Sequence, residues 1–102
     1  MAQFVTVAKA GEVAEGELES YEVGGTAVAV ANVGGDLYAV DNTCTHKQCP
    51  LAEGDLDGFI LTCPCHGSQF DVRTGGVHNP PATEPVRTYA VQVEGDEIRV
   101  EA

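Results

Sequence analysis

The chain has 102 residues, 43% of them apolar, with twelve glycines, five prolines and no tryptophan. That length fits one domain spanning residues 1–102 with one modest core, filled mainly by Val, Ala, Leu and Ile because only three Tyr and three Phe are present. A formal net charge of −11 excludes nucleic acid and anionic membrane as natural partners, and leaves acidity either as a solubility device or as a docking field for a basic protein.

In chain order, Phe4-Val5-Thr6-Val7 is a first strand, and Lys9 to Gly16 is a charged loop with one helical turn at most. Leu18 to Val23 alternates weakly and meets a hairpin turn at Gly24-Gly25. Thr26 to Val33 is rich in β-formers, with Val28 and Val30 on one face, and Gly34-Gly35-Asp36 turns the chain into Leu37 to Val40. From Asp41 to Gly58 the strand pattern stops. Phe59 to Thr62 and Phe70 to Val72 are short strands, the second followed by a Gly75-Gly76 turn. His78 to Pro85 holds three prolines and reads as a stiff extended loop. Thr88 to Glu94 and Glu97 to Glu101, joined at Gly95-Asp96, close the chain as a hairpin. The expected fold is all-β and antiparallel, a small sandwich or barrel with an inserted lobe. Many glycine turns and no long helical period support this class.

No stretch approaches the ~20 apolar residues of a membrane span, and Met1 to Val5 has neither a basic n-region nor an apolar h-region. The expected location is the cytoplasm, where four cysteines favour metal binding over a disulfide framework.

The chemistry concentrates in two mixed pairs, Cys44-Thr45-His46 and Cys63-Pro64-Cys65-His66, with Cys49 just beyond the first. Thiolate and imidazole are ligands for transition metals. A Cys2His2 zinc site would use the same residue types, but zinc patterns usually space like ligands together as C-x2-4-C and H-x3-5-H. A cluster on all four cysteines is a second alternative. Cys44-x4-Cys49 is like the start of a plant-type ferredoxin pattern, but the following C-x2-C is missing.

The two motifs together resemble the Rieske family. Cys44-Thr45-His46 matches its C-x-H, and Cys63-Pro64-Cys65-His66-Gly67-Ser68 matches its C-P-x-H-G-S; Phe70-Asp71, Thr74-Gly75 and Pro80-Pro81-Ala82 are further likenesses. The likeness covers essentially the whole chain, with a cluster-binding lobe at about 43–85. It implies one [2Fe-2S] cluster per chain, with Cys44 and Cys63 on one iron and His46 and His66 on the other. Replacing two thiolates by neutral imidazoles raises the potential, to roughly −150 to +300 mV against about −400 mV for plant-type ferredoxins. The likeness also implies a disulfide between Cys49 and Cys65, a pair that the ferredoxins of dioxygenase systems commonly lack. Ser68 stands where high-potential members place a hydroxyl donor, and Phe70 where they have a tyrosine, so an intermediate potential is expected. Pro80, Pro81 and Ala82 are expected to cover the cluster, Lys47 and Gln48 to form a polar docking rim, and His78 to be a surface or turn residue. Glu53, Asp55 and Asp57 read as a solvated loop first and a docking patch second.

The function so implied is a soluble one-electron carrier, a Rieske-type ferredoxin. It would take electrons from a ferredoxin reductase and pass them to a terminal oxygenase, with a ring-hydroxylating dioxygenase system as the implied setting. The alternative is a small Rieske subunit of another oxidoreductase, of the nitrite reductase type. The chain is not read as an enzyme. A catalytic mononuclear iron needs two more histidines and only His78 remains. No nucleophile elbow, phosphate loop or dinucleotide fingerprint is present either.

Overall fold

The segment TAVAVANV at 26–33 carries small and β-branched side chains on both faces, which suits a strand covered on both sides. The computed structural model describes residues 4–44, 49–65, 67–79 and 84–101 and places this strand between two cores. Six antiparallel strands make the larger sheet: β1 (Phe4–Lys9), β2 (Leu18–Val23), β3 (Thr26–Val33), β4 (Asp36–Asp41), β9 (Thr88–Glu94) and β10 (Glu97–Glu101). Their order is β1-β10-β9-β4-β3-β2, and the two edge strands β1 and β2 come back into contact, so the sheet nearly closes into a barrel. The lobe is a four-stranded sheet of three-residue strands in the order β5 (Asp55–Asp57), β6 (Ile60–Thr62), β7 (Gln69–Asp71) and β8 (Val77–Asn79). Short 3-10 turns at Ala10–Glu12 and Leu51–Glu53 complete the elements.

The period of two along β3 sorts its side chains. Val28 and Val30 point into the barrel, where they pack with Val13, Val23, Ala39, Ile98 and Val100. Ala29 and Ala31 point the other way, into a second core with Val40, Leu51, Leu61, Phe70, Val72 and Val86. Strand β4 divides in the same manner, Ala39 to the barrel and Val40 to the lobe. The expected pairing of Val28 with Val30 is therefore present, and small alanines on the reverse face let the lobe approach closely.

Two strands appear that the sequence pattern did not indicate. Strand β5 lies inside the segment where the strand pattern stops; its outer residues Asp55 and Asp57 are exposed and only Leu56 turns inward, so three residues give no readable alternation. Strand β8 contains His78, expected in a loop or turn; it is exposed there, at the edge of the lobe sheet. The other expected strands fall within a residue or two of the observed ones, except that Phe59 belongs to the turn before β6.

Two glycines let the lobe close on itself. A Cβ on Gly54 would run into the Thr62 carbonyl, and one on Gly75 (φ +77) into that of Val86. Gly75 donates its N–H to Asp71 (2.6 Å) and accepts from Val86 (2.8 Å), pinning the chain on both sides of the 80–83 segment. On the surface, the Arg73 guanidinium lies 4.0 Å over the Phe59 ring, which packs edge-to-face with Tyr38 of β4, the ring centroids 5.9 Å apart. The same guanidinium bonds Asp71 twice, at 3.1 and 2.8 Å, and holds that carboxyl below the usual carboxylate range.

Candidate metal centre

Both cysteine loops are closed at their base by the same device. The Cys44 N–H donates to the Cys49 carbonyl (3.0 Å), and the Cys63 N–H donates to the Ser68 carbonyl (2.8 Å), each spanning five residues. The first loop leaves β4 through an Asx turn, with the Thr43 N–H on the Asp41 carboxylate (2.9 Å) and a bridge between Thr43 and Pro50. Asn42 then fastens its return. The Asn42 backbone carbonyl accepts from Leu51 (2.7 Å) and its side-chain oxygen from Ala52 (2.9 Å). The second loop is the β6–β7 connection, paired at Thr62 with Gln69 and turned through Gly67 at φ +78, a conformation glycine adopts without strain.

The result is that Cys44 and Cys63 belong to one core cluster, neither in a disulfide and both 2% exposed. Cys49 and Cys65 are joined in a disulfide, with Cα atoms 6.4 Å apart, that ties one loop to the other. Ser68 is fully buried beneath the second loop. Soft sulfur donors kept from water, on loops fixed at both ends, fit a buried metal–thiolate centre. The donor set therefore fits the group that the sequence implies.

His46 and His66 lie outside the described residues, as do Lys47, Gln48, Pro80, Pro81 and Ala82, so their expected places carry no structural account. Among the described residues, no three ligating side chains converge. Sequence reasoning missed Asn42, the clamp of the first loop. An Asn two residues before a ligand-type cysteine, able to bond backbone on either side, is the signal that could have found it.

The Rieske [2Fe-2S] domain family matches residues 3–90. The chain is 38% identical over 95 residues to a biphenyl 2,3-dioxygenase ferredoxin component from Rhodococcus jostii (strain RHA1), covering 93% of this chain and 89% of that protein. It is 37% identical over 90 residues to the ferredoxin component of a naphthalene 1,2-dioxygenase system from Pseudomonas aeruginosa, covering 88% and 86%. Among solved structures, the ferredoxin of carbazole 1,9a-dioxygenase from Nocardioides aromaticivorans IC177 superposes with a TM-score of 0.93 at 36% identity, over 96% of both chains. A ferredoxin solved in complex with its oxygenase, also of carbazole 1,9a-dioxygenase, gives 0.90 at 36% identity, over 96% and 92%. A nitrite reductase small subunit from Mycobacterium tuberculosis gives 0.89 over 100% and 96%, but at 18% identity it shares the fold alone. Fold, paired cysteine loops and these likenesses agree: the chain belongs to the Rieske [2Fe-2S] family, on its ferredoxin branch.

Proposed function

We propose that this chain relays single electrons from a ferredoxin reductase to a terminal ring-hydroxylating oxygenase in the cytoplasm, with Cys44 and Cys63 on one iron and His46 and His66 on the other. The observation that carries the reading is the pair of buried, unbridged thiols at the bases of two identically pinned loops. The relatives' roles as ferredoxin components, and the solved pairing of a similar ferredoxin with its oxygenase, support the choice of partners. The [2Fe-2S] cluster supplies one reversible electron per turn. The protein's own residues do the rest. The buried bases of the loops exclude water from the thiolate side, and the disulfide limits how far the loops can separate. Ser68, fully buried in the second loop, would donate its hydroxyl to a cluster sulfur and raise the potential. The chain itself performs no chemistry on a substrate. The 18%-identical nitrite reductase subunit supports no second reading.

Potentiometric titration followed by EPR tests the proposal. The expected result is one unpaired electron per chain on reduction, at a potential within the Rieske range, and a lower potential for Ser68→Ala. Tetrahedral zinc without EPR signal, or a signal that survives loss of both histidines, would contradict the ligand assignment.

A further inference from the structure

The lobe and the barrel do not meet flush. Between the start of β2 and the 3-10 turn Leu51–Glu53 that leads to β5 lies a groove of about 270 Å³, lined by Glu17, Leu18, Ala52, Gly54, Asp55 and Leu56 together with Gly16. Its lining divides by chemistry. Leu18, Ala52 and Leu56 are partly buried and pack on the core that holds Cys44 and Cys63. Glu17 and Asp55 are exposed and come from opposite sides, one from the barrel and one from the lobe. The floor is held in place. Ala52 is fixed by the Asn42 side chain, and Gly54 donates its N–H to Leu51 (2.9 Å).

No cation among the described residues neutralises the carboxylates around this groove. Among the described residues, the ion pairs are Lys9–Asp96, Arg73–Asp71 and Arg99 with Glu94 and Glu97, and none of them involves a carboxylate of the groove. Glu15, Glu19, Glu53 and Asp57, all exposed, adjoin Glu17 and Asp55 in sequence and extend the same sign. A groove that sets Leu18, Ala52 and Leu56 between two carboxylates suits a long aliphatic stem ending in a cation. A second copy of this chain, at −11, would be repelled.

We infer that this groove is a docking socket for a lysine or arginine of the electron-transfer partner, a contact that brings the partner onto the core enclosing Cys44 and Cys63. The inference rests on the relay reading above. It names a docking point by chemistry: the stem desolvates Leu18 and Leu56, while Glu17 and Asp55 hold the head group. Because the floor belongs to the same packed core as the two thiols, a partner seated there is coupled to the centre through contiguous side chains.

The test uses the cluster-loaded full chain with cytochrome c, a lysine-rich one-electron acceptor, as the probe in stopped flow. Glu17→Lys/Asp55→Lys is compared with Glu94→Lys/Glu101→Lys, on β9 and β10, which makes the same change in net charge. The groove variant should slow electron transfer about tenfold at low ionic strength, and the control less than about threefold, with both gaps closing in high salt. Glu17→Gln/Asp55→Asn, which introduces no new charge to strain the fold, should give a smaller loss in the same direction. Reduction of ferricyanide, an anion, should not be slowed in any variant, which shows the centre intact. Equal slowing by the two reversals would overturn the socket in favour of a general field, and so would no slowing by either the Lys or the Gln/Asn groove variant. A wild-type chain without the expected EPR signal would instead overturn the relay reading, so the two failures are distinct.

Discussion

The barrel and the lobe are both antiparallel sheets, yet they hold together differently. Barrel strands run five to eight residues, interrupted only by a bulge between Thr6 and Ala8 of β1 among the described residues, and bury Val, Ile and Ala between them. Lobe strands run three residues each, too short to be stable by pairing. The lobe buries Leu51, Leu61, Phe70 and Val72 against β3 and β4, and adds point fastenings to that core: two loop-closing hydrogen bonds, a disulfide, two obligatory glycines and one surface cation–π contact. Burial is distributed and tolerant, whereas a fastening is local and fails singly. The contrast suits an electron carrier whose lobe must hold a fixed geometry with little mass behind it.

The largest test of this contrast removes a thiol. Cys44→Ser or Cys63→Ser should abolish the visible absorption of the cluster, while amide hydrogen exchange in β3 and β10 stays slow. Loss of protection in β10 would break the division. Next come core truncations on either side of β3. Phe70→Ala in the lobe and Ile98→Ala in the barrel should cost about 3–5 and about 2–5 kcal/mol respectively. In urea, the Ile98 variant should lower the global midpoint. The Phe70 variant should expose β6 and β7 before the barrel unfolds, and a single shared transition for both would argue against separable regions.

Opening the disulfide is expected to have a somewhat smaller effect. Its cysteines are 16 residues apart, so Cys49→Ser/Cys65→Ser should destabilise by about 3 kcal/mol in the chain-entropy model. The cluster should then bleach faster in air, with β1 and β10 protection unchanged. The smallest effect belongs to the Asp71–Arg73 pair, which is partly exposed and screened. Because Arg73 lowers the Asp71 carboxyl, its contribution is complete above the ordinary carboxylate range and fades as pH falls through the lowered value. Asp71→Asn should flatten the acid limb of lobe stability measured by exchange at β7, and an unchanged limb would remove the pair from the account.

Much of this was readable beforehand. Cys44, Cys63 and the Cys49–Cys65 pair stood out because rare residues in mixed pairs have few structural uses, and a family likeness gave them their pattern. The barrel strands were legible from β-formers between glycine turns. Strands β5 and β8 were not, because each is mostly exposed polar residues, Asp55 and Asp57 in one and His78 and Asn79 in the other, without the β-formers that marked β6. The groove at Glu17 and Asp55 was also hidden, since these residues lie 38 positions apart (55 − 17) and only the folding of lobe onto barrel brings them together. Asn42 and Gly54 escaped notice for a related reason: their roles are set by backbone that arrives from elsewhere in the chain.

Strand β3 has a consequence for anyone who wants to alter this protein. Its odd and even residues belong to different cores, yet they share one backbone, so the wall behind the redox lobe is also the inner lining of the barrel. A methyl group added at Ala29 or Ala31 would press directly on the lobe, and a change of volume at Val28 or Val30 would shift the same strand from behind. The electron carrier can thus be retuned from its hidden side, with every residue of the two cysteine loops and every docking group left as it is.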